Sequence, residues 1–223
     1  MKIVVTADLH GYLPKLPDCD LVLICGDVVH LSYQRNIIYG QLWFMEEFKR
    51  WAENLNCKKV LWIPGNHDIC VQKNEEFYHK TFPKDEKVTF LCHEYYEYEG
   101  LKIFGTPYCK IFGNWAYMLD DDELTKKFNE IPTDLDILFT HDAPYGVTDI
   151  CLEQTPWNTC ESLGNKPLRE CILNKRPKYV FHGHLHSSFH YFEDLEGSKV
   201  INTSYVNEKY EPYYEPIVIE DLK

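Results

Sequence analysis

The chain has 223 residues, with 23 Lys and Arg against 35 Asp and Glu, and a formal net charge of −12. This length suits one domain, and 44% apolar with 15% aromatic residues exclude an intrinsically disordered chain. The acidic balance argues against tight, nonspecific binding to nucleic acid or anionic lipid, because that binding depends on Lys and Arg neutralising phosphate.

Short apolar, β-branched runs recur along the chain and predict strands that are covered on both faces. These runs are Lys2–Thr6, Asp20–Cys25, Lys58–Ile63, Val88–Leu91, Leu101–Gly105, Leu135–Thr140, Lys178–Phe181, Lys199–Asn202 and Ile217–Ile219. Between the second and third runs, apolar residues at spacings of three and four predict a helix with one apolar stripe. The stripe consists of Ile38, Leu42, Met45, Phe48, Ala52 and Leu55.

Two further helices are predicted from their starting residues. The acidic run Asp120–Glu123 suits the positive end of a helix dipole, and Asn165 with Pro167 suits the start of a helix that extends to about Asn174. Strands alternating with helices predict a single α/β domain over residues 1–223. The stretch Asp142–Gly164 has no clean period and is predicted to be a functional loop.

Nothing in the sequence predicts export or a membrane anchor. Asp8 lies where a secretory signal would still be apolar, and no apolar run approaches the length of a membrane span. The 9 Cys form no Cys-x-x-Cys pair and fit reduced thiols. We therefore expect a cytoplasmic protein without membrane contacts.

Residues of the types that bind metals follow several of the predicted strands. They are Asp8-Leu9-His10, Gly26-Asp27, Gly65-Asn66-His67-Asp68, His141 and Gly183-His184-Leu185-His186. Because loops at the carboxyl ends of strands meet at one crevice, these side chains are predicted to converge on a binuclear metal site. Two metals that share a water can activate it and clamp a phosphoryl group, which predicts phosphoester hydrolysis without a covalent intermediate.

Each cluster alone has an ordinary explanation. Asp8-x-His10 and Gly26-Asp27 are common in turns, and His141 alone is typical of a loop histidine. The stretches Gly65–Asp68 and Gly183–His186 are rarer, and a structural zinc site is disfavoured because paired Cys ligands are missing. The ordered combination at strand ends is what favours the metal site.

The same ordered set, from Asp8 to His186, resembles the calcineurin-like metallophosphoesterase superfamily. Further segments resemble its small metallophosphoesterase-domain-containing branch, which is similar to class III cyclic nucleotide phosphodiesterases. They include Ile103-Phe104-Gly105-Thr106-Pro107, Gly113-Asn114-Trp115-Ala116, Arg176-Pro177-Lys178 and Ile201-Asn202-Thr203-Ser204. The resemblance implies a four-layer αββα sandwich of two mixed β-sheets flanked by helices, and a phosphodiesterase that often needs Mn.

The resemblance also implies a role for each site residue. The first metal would take Asp8, His10, Asp27 and His186, and the second would take Asp27, Asn66, His141 and His184, with Asp27 bridging. His67 corresponds to a non-ligand histidine that faces the leaving group, and Asp68 to the acidic residue beside it. His67 and Asp68 are thus the catalytic candidates, and Asn66 and His67 the substrate-binding ones. The ligand set suits two divalent or trivalent ions, with Mn favoured and Fe or Zn as alternatives.

The predicted reaction is hydrolysis of a small phosphodiester, such as a cyclic nucleotide, by a metal-bridging hydroxide with His67 as the acid. Three alternatives stay open: a phosphomonoesterase or a nuclease with the same metals, and a non-catalytic scaffold. An acidic chain disfavours a long nucleic acid as partner, and the oligomeric state is not predicted.

Some segments depart from the family pattern. Asp142 is expected to bring extra negative charge near an anionic substrate, and Cys151–Leu163, with Trp157, matches no family pattern. Trp115, Tyr117 and Trp157 could form a stacking platform for a base or could simply be packing residues. The tail from Tyr205 to Tyr214 is expected to cover a sheet edge, with no chemistry assigned.

Overall fold

A computed structural model describes residues 1–151, 161–220 and 222. Its strands are β1 (Ile3–Thr6), β2 (Leu21–Cys25), β3 (Lys59–Ile63), β4 (Val88–Phe90), β5 (Glu94–Tyr98), β6 (Leu101–Thr106), β7 (Cys109–Lys110), β8 (Met118–Leu119), β9 (Ile137–Thr140), β10 (Tyr179–His182), β11 (Glu193–Leu195), β12 (Ser198–Asn202) and β13 (Ile217–Ile219). Its α-helices are α1 (Ile37–Trp43), α2 (Lys49–Asn54), α3 (Ile69–Gln72), α4 (Glu75–Thr81), α5 (Asp121–Asn129) and α6 (Lys166–Lys175).

The strands form two large mixed sheets. The first has the order β13-β1-β2-β3-β4, and the second has the order β11-β12-β10-β9-β6-β5. Strands β1 to β4 are parallel in the first sheet, and β6, β9, β10 and β12 are parallel in the second. The antiparallel strands β13, β11 and β5 lie at sheet edges. The parallel strands of each sheet therefore end at a common side, where the connecting loops collect.

Alternate residues of each strand enter different apolar layers, as the period of a strand requires. In β1, Val4 belongs to the layer between the first sheet and helices α1 to α4, while Val5 belongs to the layer between the two sheets. In β9, Phe139 belongs to the layer between the sheets, while Leu138 faces the layer that contains α5 and α6. The predicted αββα sandwich is confirmed.

The helix after β2 differs from its prediction. Phe48 and Ala52 are buried as expected, but Ile38, Leu42 and Met45 are 69%, 48% and 39% exposed. A π-helical segment, Phe44–Phe48, separates α1 from α2. The extra residue in a π turn rotates the helix face by about one residue, so the apolar stripe does not continue across it.

Both helices predicted from their starting residues are confirmed. Asp120 caps α5 in a capping box with Glu123, and the Asn165 side chain accepts the Leu168 amide at the start of α6. The short helices α3 and α4 and the strands β5, β7, β8 and β11 were not predicted. Strand β5 shows why: its sequence, Glu-Tyr-Tyr-Glu-Tyr, is polar and partly exposed at a sheet edge, so it gives no apolar run.

Candidate metal centre

The site lies where β1, β2 and β3 of the first sheet and β9 and β10 of the second sheet end. The loops after these strands carry the predicted ligands, and four of the ligand residues have positive φ angles. These are Asp8 (52°), His10 (43°), Asp27 (52°) and His184 (70°). Non-glycine residues adopt this conformation at an energetic cost, and such strain tends to collect at functional sites.

Asp8, His10 and His186 form the first group of possible ligands. One nitrogen or carboxylate oxygen from each lies within 4.8 Å of those of the other two, and all three residues are buried. The Nε2 atoms of His10 and His186 are 3.3 Å apart, and His186 Nε2 is 3.7 Å from Asp8 Oδ1. This matches the set that the sequence assigns to the first metal, to which Asp27 belongs as well.

Asp27 and His141 form the second side of the site, with Asn66. His141 Nε2 lies 2.8 Å from Asn66 Oδ1 and 3.5 Å from Asp27 Oδ1. His10 Nε2 lies 3.8 Å from the other oxygen, Asp27 Oδ2. The two Asp27 oxygens thus face the two groups of ligands, which is the position that a bridging carboxylate needs.

His184 completes the predicted set from a greater distance. Its ring centroid is 5.0 Å from that of His141, and it lines the same pocket as Asp27 and Asn66. Its backbone amide donates to both carboxylate oxygens of Asp8, at 3.2 and 3.0 Å. The structure therefore brings all seven predicted ligands to one place: Asp8, His10, Asp27, Asn66, His141, His184 and His186.

Two ligand histidines are fixed from behind by carbonyl groups. His141 Nδ1 donates to Cys25 O at 3.0 Å, and His186 Nδ1 donates to Asn207 O at 3.1 Å. With a proton held on Nδ1, each ring directs its Nε2 into the site. This is the arrangement by which protein groups orient metal-binding histidines. Against the effect of burial, Asp27 raises the pKa of His141 to about 10 and Asp8 raises the pKa of His186, so a cation bound there has to displace a proton from Nε2.

The charges at the site also suit cations. Burial opposes ionisation of Asp27, but His141 and the other histidines hold its pKa well below the usual range. Burial likewise opposes ionisation of Asp8, and His186 lowers the pKa of this carboxyl. Burial lowers the pKa of His10 and of His184 to about 3. Carboxylates and imidazoles are the donor types that Mn, Fe and Zn accept.

The residues present therefore fit a pair of metal ions. Nε2 of His10 and Nε2 of His186 face one another at 3.3 Å, and Nε2 of His141 faces two acceptor oxygens at 2.8 and 3.5 Å. Each of these contacts needs a proton on one nitrogen when no ion is bound, and a cation among the same atoms can take the place of those protons. The Nδ2 atom of Asn66 is buried without a partner among the described residues, so this amide also has its hydrogen-bonding capacity unfilled.

Two glycines make this close approach possible. A Cβ atom at Gly65 would collide with Asp27 Oδ1, and one at Gly183 would collide with Asp8 Oδ2. Both glycines stand directly before a predicted ligand, Asn66 and His184. The glycines in the two rarer motifs are therefore required by the packing of the carboxylates against the backbone.

His67 lies at the edge of the same cluster. Its Nε2 is 3.8 Å from Asp27 Oδ2, its amide donates to Asp27 Oδ1 at 2.7 Å, and its Nδ1 donates to Gln34 Oε1. Its ring lies 4.2 Å from that of Trp115, and the Arg35 guanidinium lies 4.0 Å from the same indole. These contacts hold one face and one nitrogen of His67, and leave Nε2 directed toward the pocket.

Asp68 lies behind the site rather than in it. It is fully buried and accepts the amides of Val28 (3.1 Å), Val29 (2.8 Å) and Gly65 (2.8 Å). Burial and the charge of Asp27 raise its pKa to about 7. Asp68 therefore ties the loop that carries Asp27 to the loop that carries Asn66. Its predicted catalytic role stays a prediction.

We expect Asp68→Asn to destabilise the metal-free protein by about 1–3 kcal/mol, because the new amide group must face a backbone N–H and leaves it unpaired. Thermal unfolding of the metal-free protein measures this, with the exposed Asp122→Asn as control. A variant that unfolds like the wild type but turns over more slowly would instead support a direct catalytic role.

The pocket at this centre has a volume of about 490 Å³, which is in the range of small-molecule sites. Its lining includes residues that the sequence did not assign to the site: Lys110, Phe112, Leu163, Leu185, Glu208 and Tyr210. Tyr210 belongs to the tyrosine-rich tail, and the high tyrosine content of this tail was the only feature of the sequence that could have pointed to it. Lys110 and Phe112 follow the Gly105-Thr106-Pro107 segment, which carried no polar motif.

The structure corrects the expectation about Asp142 and decides between the two alternatives for Tyr117. Asp142 adds no exposed negative charge, because it is fully buried and accepts the amide of Lys110 at 2.9 Å and the side-chain amide of Asn165 at 3.0 Å. Tyr117 is 2% exposed, which favours packing, one of the two alternatives left open for it, over a platform for a base. Trp157 lies outside the described residues.

Comparisons with known proteins point to one family. The family model described as Calcineurin-like phosphoesterase matches residues 1–188. A UPF0046 protein of Caenorhabditis elegans is 26% identical over 95% of the chain and 76% of its own length. The human metallophosphoesterase domain-containing protein 1 is 24% identical over 98% of the chain and 70% of its own length.

Solved structures show the same fold. The phosphopantetheinyl hydrolase of Mycobacterium tuberculosis has a TM-score of 0.55 at 14% identity, and the match covers 99% of this chain and 96% of that one. A Thermus thermophilus protein has a TM-score of 0.54 at 14% identity, over 90% of this chain and 88% of that one.

No helix among the described residues is long and apolar enough to cross a membrane.

Proposed function

Because the chain belongs to the calcineurin-like phosphoesterase family, whose members are metal-dependent phosphoesterases, we propose that it hydrolyses small phosphodiesters such as cyclic nucleotides. The observation that carries this proposal is the convergence of Asp8, His10, Asp27, His141 and His186 on one buried centre. A pocket of about 490 Å³ next to that centre suits a ligand the size of a nucleotide.

Two metal ions would be held by the two ligand groups that share Asp27, with Mn proposed as the preferred metal. Such a pair activates a water and neutralises the phosphoryl oxygens when it is bound. The protein contributes the rigid ligand set, since His141 and His186 are each fixed by a carbonyl behind the ring. Positive charge supplied in this way explains how an acidic chain can attract a phosphoester.

We propose that His67 is the general acid. Its Nδ1–H is held by Gln34 Oε1, and its Nε2 faces the pocket beside Asp27. In the imidazolium form, the Nε2 proton can pass to the departing oxygen of the ester. A positioned acid of this kind is typically worth about 10²–10⁴-fold in rate.

The proposal is tested by turnover on a substrate panel with Mn present. We expect 2′,3′-cyclic or 3′,5′-cyclic nucleotides, or linear diesters, to be hydrolysed faster than nucleoside monophosphates. Chelation should abolish the activity, and Mn should restore it. Turnover of monoesters alone would refute the diester assignment, and a metal-loaded protein that hydrolyses no ester would indicate a binding scaffold.

A further inference from the structure

Tyr210 lies against the metal-ligand cluster, although the tail that carries it showed no motif. Its ring meets those of His10 and His186 edge to face, with centroids 4.8 and 5.1 Å apart, and it lies 6.1 Å from the ring of His67. It also lines the pocket with Asp27. Tyr210 is thus within reach of a molecule bound at this centre.

The backbone around Tyr210 is built to hold it there. Its φ is +59°, which a residue with a Cβ adopts only at a cost. Asn207 organises the turn, because its side chain accepts the amides of Lys209 (2.9 Å) and Glu211 (3.1 Å), and its carbonyl accepts the amide of Tyr210 (2.9 Å). Tyr12 adds a hydrogen bond to the Tyr210 carbonyl at 3.2 Å. Strain that neighbours maintain in this way points to function.

The same turn is joined to the metal centre. The Asn207 carbonyl that accepts the Tyr210 amide also accepts His186 Nδ1, at 3.1 Å. The position of the Tyr210 ring is therefore set by the same atom that orients a ligand histidine. A residue that only filled space over the sheet edge would not need this link.

The hydroxyl of Tyr210 is the group that these contacts leave available. Within the described part of the chain this hydroxyl makes no hydrogen bond. Two charged residues of the same pocket lining, Glu208 and Lys110, do make hydrogen bonds. Glu208 accepts the amide and hydroxyl of Ser187, each at 3.1 Å, and Lys110 Nζ donates to Gly164 O at 3.4 Å. A phenol O–H at an anion-binding centre is suited to donate to a phosphoryl oxygen.

We propose that Tyr210 is a substrate-contacting residue whose phenol O–H donates a hydrogen bond to a nonbridging phosphoryl oxygen of the bound ester. This inference rests on the proposed function of the site. The ring packs against His10 and His186, and the hydroxyl supplies the contact to phosphate. Loss of the hydroxyl alone removes the contact and keeps the packing.

The test compares Tyr210→Phe with the wild type, both loaded with Mn, using inorganic phosphate as probe. We expect isothermal titration calorimetry to show phosphate binding about 10- to 100-fold weaker in the variant, the range for a lost hydrogen bond to a charged group. The kcat/KM for bis(p-nitrophenyl) phosphate should fall by a similar factor. Mn content and melting temperature should stay unchanged.

Tyr213→Phe is the matched control, since Tyr213 is in the same tail and is 69% exposed; it should behave as wild type in every measurement. Equal phosphate affinity in Tyr210→Phe and the wild type would overturn the proposal while leaving the proposed function intact. Loss of Mn from Tyr210→Phe would also overturn it, since the hydroxyl would then serve the metals. A metal-loaded wild type that neither binds phosphate nor hydrolyses an ester would refute both.

Discussion

Asp27→Asn is expected to lose its Mn and its activity together. Both Asp27 oxygens face ligand histidines, with Oδ1 3.5 Å from His141 Nε2 and Oδ2 3.8 Å from His10 Nε2. Replacing one oxygen by an amide nitrogen removes a negative charge and turns a donor group toward the metals. Changes to groups behind the ligands typically cost 10–100-fold in metal affinity, so we expect more than about 100-fold here.

The measurement is Mn per chain after desalting, together with hydrolysis of bis(p-nitrophenyl) phosphate. Asp85→Asn is a suitable control, because Asp85 is exposed and lies outside the site. Full Mn content in Asp27→Asn would contradict the bridging role. Retained activity at full occupancy would contradict the whole arrangement of the centre.

His67→Ala is expected to slow hydrolysis by about 10²–10⁴-fold when the leaving group is a poor one, such as a ribose alkoxide. The reason is that Nε2, which faces the pocket, can no longer give a proton to the departing oxygen. Nitrophenolate leaves without a proton, so the p-nitrophenyl ester should lose much less activity. Turnover of both substrates by one preparation measures the difference.

The Mn content of His67→Ala separates two roles. His67 lies with His10 and Asp27 in a group whose ligand atoms are within 4.8 Å of one another, so the geometry would also allow it to bind metal. We expect the variant to retain Mn, as a non-ligand histidine should. Equal losses on both esters would refute the acid role, and a loss of Mn would place His67 among the ligands.

Two predictions from the sequence, the apolar helix stripe and the exposed charge of Asp142, are wrong for related physical reasons. The stripe through Ile38, Leu42 and Met45 assumed a continuous α-helix, but a π-helical segment shifts the buried face. The extra residue in one π-helical turn does not change the amino-acid composition, so the sequence does not reveal it. Asp142 was misjudged for a similar reason, because the partners that bury it, Lys110 and Asn165, are 32 and 23 residues away in the chain.

The sequence by itself determined the apolar strands, the two capped helices and the candidate ligands of the metal centre. Apolar runs, caps and short motifs are local patterns, and each metal-type residue follows its strand directly. The glycines before Asn66 and His184 belong to the same local patterns, and the structure explains them by the closeness of Asp27 and Asp8.

Only the tertiary structure decided which sheet each ligand loop leaves and what stands behind and around the ligands. The positions of the motifs after strands predicted a crevice at the edge of one sheet, whereas the centre lies where strands of two sheets end. Gln34 reaches His67 across 33 residues, and His186 reaches Asn207 across 21. Such contacts form when loops that are distant in the chain pack together, and so does the position of Tyr210 over the centre. Hydrophobic periodicity describes only local structure, so it cannot predict them.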